Sequence, residues 1–395
     1  MRRGVWLRTL VAGIVMLGAA GCGSEGDRAV MAAPACPDGP SGRPQPARVP
    51  PGAVWAGGPH TTAPADAWGG GMVPGWTDVV SVSDSGFSTA AVRADGTVWT
   101  YGVNYKGSLG HGSQARDHLA EPRRVAGITD ARSVHHGGST FFVVRADGSV
   151  LAWGSENILV NAGRRDGYAG VTRPRPVPRA GGVVSMGPDS LTAFALRSDG
   201  RVLGWGVNLT DVLGNTNSTR LTRVKGVSNA VGLASTGSAV VVATADGRVC
   251  AWGSNAHGVL GITPRGGQSG RPVQVRGLKD IVQVAGGHHV AYALDRDGTV
   301  WAWGRGVSGT LGDGVTAEHH TARPVKVPGL PAVRRISAHQ FTGYAIDTDG
   351  GLWSWGSGVT LGDHTRATGA APERVPLPGP ALDVSARHVI VDTGR

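Results

Sequence analysis

The chain has 395 residues, and 40% of them are hydrophobic, which is enough for a packed core and excludes a disordered chain. Its 65 glycines and 24 prolines are typical of many strands joined by turns. The formal net charge is +10, but the arginines are scattered and form no basic run, so we expect no nucleic-acid partner.

Residues 1–22 have the three parts of a secretory signal. Two arginines come first, an apolar run over residues 10–17 follows, and small residues lead to Cys22. The apolar run is shorter than the roughly 20 residues that a membrane-spanning helix needs. The small residues before Cys22 resemble a bacterial lipobox, which implies that the Cys22 thiol is lipidated and becomes the mature N-terminus. We therefore expect an exported protein, anchored to the membrane on its extracytoplasmic side; a plain signal peptide cut near residues 33–35 is the alternative.

Residues 23–50 differ in composition from the rest of the chain. They are rich in glycine, proline, alanine and arginine and show no apolar periodicity. This composition predicts a flexible tether between the lipid and a folded domain that spans residues 51–395.

A short sequence motif centred on Asp-Gly occurs six times in the folded part, and the glycines of successive Asp-Gly pairs are spaced by 52, 52, 47, 51 and 52 residues. A period near fifty indicates an array of similar units. Each Asp-Gly lies between two apolar runs, which predicts a β-hairpin with a tight primed turn, because Gly and Asp tolerate positive φ. The runs are apolar at nearly every position, so both faces of each sheet should be buried, as in stacked propeller blades. The repeated positions are Asp95, Gly96, Tyr101, Gly102, Asp147, Gly148, Trp153, Gly154, Asp199, Gly200, Trp205, Gly206, Asp246, Gly247, Trp252, Gly253, Asp297, Gly298, Trp303, Gly304, Asp349, Gly350, Trp355 and Gly356.

A seventh, truncated copy lies at the start of the folded part. Gly52 corresponds to Gly96, but the strand that should precede the turn is missing. Residues 382–385 and 388–394, at the other end of the chain, have the pattern of the missing first and second strands. A blade completed from both ends closes the ring and leaves no open sheet edge. We therefore predict an all-β fold, a seven-bladed β-propeller of four-stranded blades with one blade shared between the N- and C-terminal strands.

The third strand of each copy ends in an aromatic residue and a glycine, usually Trp-Gly. An indole repeated at one register should pack between neighbouring blades, because large aromatic side chains dominate buried area. Polar loops of variable length follow, for example at residues 113–121, 263–271 and 313–323. Loops of this kind are where a rigid scaffold usually carries function.

The combination of Asp-Gly-x-Val-x-x-Trp-Gly, Leu-Gly and Pro-x-x-Val at this period resembles the repeat of the regulator of chromosome condensation family. The resemblance covers about residues 50–395 and implies a seven-bladed propeller with a shared blade. Family repeats often carry Gly-x-x-His-x-x-Ala-Leu before the turn, and His289 is the best match to that histidine. The equivalent positions hold Phe87, Ser139, Leu191, Ser238 and Phe341.

Members of that family have different functions. The namesake is a nuclear exchange factor for a small GTPase and binds chromatin, and bacterial secreted relatives include a propeller inhibitor of beta-lactamases. Export would separate this chain from cytosolic nucleotides, so we do not expect nucleotide exchange, and fold alone does not establish a function.

The sequence contains no motif typical of catalysis or metal binding. His-x-x-x-His, Cys-x-x-Cys and Gly-x-Ser-x-Gly are all absent. Histidines occur in pairs at 135–136, 288–289 and 319–320, but neighbouring side chains on a strand point to opposite faces, so a strand pair should not chelate one metal. We expect these histidines at the surface or between blades, and Asp84 and Asp189 on solvated loops, with the mouth of the central tunnel as the alternative for these two residues. No catalytic residue, metal site or cofactor is predicted.

Two cysteines remain besides Cys22. Cys250 replaces a tryptophan of the repeat, so it should be buried between blades, where a free cysteine behaves as a small hydrophobe. A disulfide with Cys36 is compatible with export, but it would require the tether to reach a buried strand. Both alternatives are open.

A rigid ring with variable polar loops and no catalytic set favours a binding module. We expect a monomer that binds another protein or a cell-envelope component through its face loops; the partner and its contact residues are not predicted. One alternative is an inhibitor of a beta-lactamase or a penicillin-binding enzyme. Another is an enzyme acting on envelope polysaccharide, which would need two carboxylates roughly 5 to 10 Å apart.

Overall fold

The computed structural model describes most of the chain after its first 24 residues. The described ranges are 25–39, 42–45, 48–57, 70–154, 170–189, 191–207, 212–213, 218–263, 265–357 and 369–394. One helix, α1 (Glu25–Ala32), precedes 28 strands that form seven separate four-stranded antiparallel sheets. The prediction of a seven-bladed, nearly all-β propeller is therefore confirmed.

Six blades are each built from four consecutive strands. Blade 1 contains β3 (Val79–Asp84), β4 (Ser88–Arg93), β5 (Val98–Val103) and β6 (His118–Arg124). Blade 2 contains β7 (Ala131–Gly137), β8 (Thr140–Arg145), β9 (Val150–Gly154) and β10 (Val171–Pro176). Blade 3 contains β11 (Val183–Met186), β12 (Thr192–Arg197), β13 (Val202–Gly206) and β14 (Ser218–Arg223). Blade 4 contains β15 (Ala230–Ser235), β16 (Ala239–Thr244), β17 (Val249–Ser254) and β18 (Gln268–Val275). Blade 5 contains β19 (Ile281–Gly286), β20 (Val290–Asp295), β21 (Val300–Gly306) and β22 (His319–Lys326). Blade 6 contains β23 (Val333–His339), β24 (Thr342–Asp347), β25 (Leu352–Gly356) and β26 (Gly369–Val375).

Blade 7 combines both ends of the chain, as the truncated copy predicts. Its inner strands are β27 (Ala381–Ser385) and β28 (His388–Val391), and its outer strands are β1 (Ala53–Ala56) and β2 (Gly71–Met72). Strand β1 pairs with β28 over four residues, from Ala53 opposite Val391 to Ala56 opposite His388. The ring is thus closed by hydrogen bonds between segments more than 300 residues apart in the chain.

Each Asp-Gly pair forms the hairpin turn between the second and third strands of a blade. The six glycines all have positive φ, between 76° and 86°. In the first copy a Cβ on Gly96 would lie 2.4 Å from the Thr129 carbonyl oxygen, so only glycine fits. The expectation of a primed turn was wrong, because Asp95 does not share the positive φ. Its carboxylate instead accepts a hydrogen bond from the Thr97 amide at 2.9 Å, and this side-chain contact stabilises the turn.

The indoles of the Trp-Gly positions lie between blades. Trp153, Trp252, Trp303 and Trp355 are almost fully buried, and each Nε1 donates to a backbone carbonyl of the preceding blade, at 2.7–3.1 Å. The accepting carbonyls belong to the loop after the third strand, where the sequence has its Leu-Gly step. Each indole therefore fills the gap between two sheets and also fixes their relative position.

Replacing Trp303 by phenylalanine should lower the free energy of unfolding by about 1–3 kcal/mol, because it removes buried volume and leaves the Val259 carbonyl without its donor. Trp301 on the same strand is a matched control, since it is partly exposed and donates to Asp295 within its own blade. Denaturant titration of the two variants measures the difference. Equal losses would contradict the inter-blade role of Trp303.

The described residues of the N-terminal segment before blade 7, 25–39, 42–45 and 48–52, form a structure that we call the strap. It differs from the flexible tether that its composition predicts. Helix α1 packs on blade 4, and Ala35 pairs with Val273 on the outer strand β18. A Cys36–Cys250 disulfide joins the strap to β17, with 5.7 Å between the two Cα atoms. Cys250 is therefore a crosslinked residue of the core and not a free thiol.

Candidate functional site

A central channel runs along the seven innermost strands. Its volume is about 560 Å³, and its wall is mostly polar, with Ser81, Ser133, His135, Gln283 and Arg335 among the lining residues. The first strand of every blade contributes to the wall, as expected when seven sheets radiate from one axis.

The two faces of the ring are built from different connections. The turns between first and second strands lie on one face, which we call the hairpin face, together with the loops that follow the third strands. The Asp-Gly turns lie on the opposite face. The strap covers part of that opposite face: a Cβ on Gly42 would lie 2.7 Å from the Asn229 carbonyl oxygen, and Val49 lines the channel beside the start of β3. The strap also reaches the hairpin side of blade 4, where a Cβ on Gly267, in the loop after the third strand, would lie 2.7 Å from Asp27 Oδ1.

Seven equivalent positions, the rim positions, surround the channel on the hairpin face, one directly before the second strand of each blade. They are Phe87, Ser139, Leu191, Ser238, His289, Phe341 and Arg387. The backbone carbonyls of six of them accept a hydrogen bond at 2.8–3.0 Å from an amide just past the third strand of their own blade; the donors are Val103, Val207, Ser254, Arg305, Ser357 and Gly57. The backbone at the rim therefore repeats from blade to blade while its side chains do not.

Two rim side chains are exposed apolar groups. Phe87 is 66% exposed and Leu191 is 42% exposed. Phe341 is partly buried beside His288, with ring centroids 5.0 Å apart. In the sequence these positions stand out only as departures from the family histidine, so their exposure could not have been predicted without the ring.

Four histidines meet on the hairpin face where blades 4 and 5 adjoin. The ring of His257 lies 4.6 Å from that of His289 and 5.1 Å from that of His320, and the rings of His288 and His289 are 4.0 Å apart. Burial lowers the pKa of His289 to about 4, and the pKa of each of the other three is also lowered, again chiefly by burial. The cluster is therefore uncharged at neutral pH.

The pair His288-His289 corrects one expectation. The two residues lie in a turn and not on a strand, and His289 has a φ of 63°, so their side chains come together instead of pointing apart. Even so, no group of three or more histidine, cysteine, aspartate or glutamate side chains among the described residues is placed to hold a metal ion. His289 and His320, where blades 4 and 5 adjoin, agree with the expected position between blades, whereas His135 and His136 line the central channel.

The position of Asp84 also differs from the sequence-based expectation. It is fully buried at the junction of blades 7 and 1, whereas a solvated loop position was expected. Its carboxylate lies 3.0 Å from His388 Nδ1 and 3.4 Å from Arg387 Nε, and His388 Nε2 is hydrogen-bonded to the Tyr101 hydroxyl. We call these four residues the closure network. Asp189, by contrast, lines the channel at the hairpin face.

Burial alone would raise the pKa of Asp84, but the charges of His388 and Arg387 and the hydrogen bonds from His388 and the Gly86 amide outweigh it. The pKa is held far below its usual range, and Asp84 is ionised. Burial and the Asp84 charge raise the pKa of Tyr101, which stays neutral. The sequence carries one signal for this network: Tyr101 stands where the other five copies have tryptophan.

The predicted lipidation site at Cys22 lies outside the described residues, and so does the rest of the predicted signal segment. In the part of the chain that is described, no helix has the length and apolar character needed to cross a membrane.

Comparison with protein families gives one match over most of the chain. Residues 41–392 match a family model described as an RCC1-like domain. The chain is similar to the regulator of chromosome condensation of Mus musculus, with 25% identity over 323 residues, which cover 73% of this chain and 74% of that protein. It is also 27% identical over 324 residues to the E3 ubiquitin-protein ligase HERC2 of Homo sapiens, of which it spans only 6%.

Solved structures show the same fold. Human WBSCR16 superposes with a TM-score of 0.74 at 21% identity, covering 88% of this chain and 100% of that one. Prp20p of Saccharomyces cerevisiae, whose structure was determined with its binding properties to Gsp1p and histones, gives a TM-score of 0.73 at 18% identity over 88% of this chain and 92% of its own. At these identities the likeness extends to the propeller and not to a partner.

Proposed function

Because the chain belongs to the RCC1-like propeller family, we propose that it is an exported, membrane-anchored module that binds another protein through the rim positions of its hairpin face. The proposal rests above all on the contrast between backbone and side chains at the rim. Six rim backbones are fixed by the same hydrogen bond, while the side chains they present range from phenylalanine to serine and arginine. A rigid frame with side chains that do not repeat is suited to recognising one surface.

The chemistry of the rim favours a protein partner. Phe87 and Leu191 expose apolar surface on loops whose backbone is held in place, so binding would cost little conformational entropy. Exposed aromatic and aliphatic anchors beside polar groups are typical of the energetic centre of an interface. Arg387 and Ser139, both partly exposed on neighbouring blades, supply polar groups beside these anchors.

Export is supported by two observations. Residues 1–22 have the pattern of a lipoprotein signal, and the Cys36–Cys250 disulfide is of a kind that persists in oxidising compartments outside the cytosol.

Replacing both Phe87 and Leu191 by serine should weaken partner binding about thirtyfold to a thousandfold, since each apolar anchor contributes about 1–2 kcal/mol. A photo-crosslinking residue at position 87 would first identify the partner in the extracytoplasmic fraction, and titration of the purified pair would then give the affinities. Met72→Ser is the matched control, because Met72 is 43% exposed but lies on the outer strand of blade 7. If the double variant binds as tightly as the control, or if crosslinks form only from position 72, the rim is not the binding surface.

A further inference from the structure

The strap holds the start of the folded chain against the outer edge of blade 4, and this contact is extensive. Val30 and Ala33 are buried in the core cluster of that blade. The Cys36 amide donates to the Pro272 carbonyl at 3.1 Å, and the Gln274 amide donates to the Pro34 carbonyl at 3.0 Å. Residues 34–36 thus add a short fifth strand to the open edge of β18.

Two further interactions fix this contact. The Arg271 guanidinium donates to the carbonyls of Met31 and Ala33 at 3.1 and 3.3 Å, which satisfies groups at the C-terminal end of α1. The disulfide joins Cys36, 8% exposed, to the fully buried Cys250 on the neighbouring strand β17. We call α1 and β18 together the blade 4 edge.

These contacts determine how many residues separate the lipid anchor from the folded domain. A flexible tether over residues 23–50 would hold the propeller at a root-mean-square distance of about 30 Å from the anchor, in any orientation. With α1 fixed on blade 4, only residues 23 and 24 separate Cys22 from Glu25 at the start of the helix. The three Cα–Cα steps from Cys22 to Glu25 span at most about 11 Å even when fully extended.

We propose that the blade 4 edge is the surface that faces the lipid bilayer, and that the Cys36–Cys250 disulfide maintains this orientation. The inference rests on the lipid anchor of the proposed function. Because Glu25 lies within about 11 Å of Cys22, the bilayer is close to the start of α1. Met31, further along the same helix, is 80% exposed and presents an apolar side chain. The propeller then stands on its edge, and the rim residues Phe87 and Leu191 remain open to a partner beside the membrane.

Energy transfer to acceptor lipids tests the orientation. The full lipidated protein is reconstituted in vesicles of phosphatidylethanolamine and phosphatidylglycerol, with a fluorescent residue at Gln268 on blade 4 or at Glu121 on blade 1. Both positions are exposed on the fourth strand of their blades, and the blades lie on opposite sides of the ring. Transfer from position 268 should exceed transfer from position 121 at least threefold, and equal transfer would overturn the proposal.

Two variants test whether the disulfide and the short linker after Cys22 cause this difference in energy transfer. In Cys36→Ser/Cys250→Ser the difference between the two positions should fall towards zero. An insertion of twenty Gly/Ser residues between positions 24 and 25 keeps the disulfide and the strap intact, so it remains informative if the cysteine variant does not fold, and it should also abolish the difference. If the insertion variant keeps the difference in energy transfer between positions 268 and 121, the proposed orientation is wrong. If only the cysteine variant keeps that difference, the disulfide does not maintain the orientation.

Labelling with a palmitate analogue tests this inference separately from the proposal that the rim binds a partner. The label should be lost in Cys22→Ser, and a label that persists would remove the anchor and with it the membrane-facing edge. Partner affinity of the soluble Phe87 and Leu191 variants would still decide the binding proposal independently.

Discussion

Replacing Asp84 by alanine is expected to lower the free energy of unfolding by about 3–5 kcal/mol, a larger effect than we expect for Trp303→Phe. The reason is that Asp84 is the buried anion of the closure network. Its loss leaves the His388 Nδ1 atom without its hydrogen-bond partner and the Arg387 guanidinium without its buried counter-ion where blade 1 meets blade 7. It also removes the acceptor of the Gly86 amide, now at 2.7 Å.

Thermal and denaturant unfolding measure the effect, which for a domain of this size corresponds to a fall in melting temperature of about 5 °C. Asp147→Ala is the matched control, since Asp147 lies exposed in an Asp-Gly turn and its carboxylate accepts a hydrogen bond from the nearby Ser149 amide. It should cause a much smaller loss. Similar losses in the two variants would show that ring closure depends on strand pairing in blade 7 and not on the buried charge.

The ring itself was predictable because its information is repeated. Six copies of Asp-Gly each give the same hairpin signal, and the truncated seventh copy is complemented by strand patterns at the other end of the chain. The burial of the Trp-Gly indoles also follows from their regular register. A pattern that recurs in every blade can be identified even where one copy of it is irregular.

The strap and the closure network were not predictable, because each depends on single residues that meet over long distances in the chain. Cys36 and Cys250 are 214 residues apart, and Asp84 and His388 are 304 apart. The composition of the strap was also misleading. Gly39 and Gly42 suggest flexibility, yet a Cβ on either would lie within 2.7 Å of Asn229, so these glycines permit close packing.

The strap and the rim together explain how one repeated scaffold acquires two distinct faces. Seven equal blades would give a ring with no preferred direction around its axis. The strap breaks that symmetry by binding one edge and part of one face, and the rim breaks it again through side chains that differ from blade to blade. Both devices lie in segments where the sequence departs from its own repeat.

Acidification from pH 6.5 to pH 5 is expected to destabilise the propeller by about 3 kcal/mol through two histidines of blade 2. Burial lowers the pKa of His135 to about 4, and burial together with the neighbouring His339 lowers the pKa of His136 to about 4, although Asp84 opposes this. His135 Nε2 and His136 Nδ1 are hydrogen-bonded to the hydroxyls of Ser133 and Ser83, both at 2.9 Å. Neutral imidazoles are therefore part of the folded channel wall.

The sign follows from the protons bound in each state. In the unfolded chain these histidines have a pKa near 6.5, so between pH 6.5 and pH 4 the unfolded state binds more protons and stability falls as the pH falls. Asp84 acts in the same direction but only below about pH 4, because its folded pKa is depressed below the ordinary carboxyl range. The two effects are therefore separated along the pH axis, and the histidines dominate above pH 5.

Denaturant unfolding at pH 6.5 and pH 5 of His135→Gln/His136→Gln would measure the contribution of this pair. Glutamine keeps a polar group in the channel wall but does not titrate, so the loss of stability between the two pH values should shrink by about 3 kcal/mol. His118→Gln on the exposed strand β6 should retain the pH dependence of the parent. If the double variant also retains it, the acid sensitivity arises elsewhere, and the cluster of His257, His288, His289 and His320 on the hairpin face would be the next group to replace.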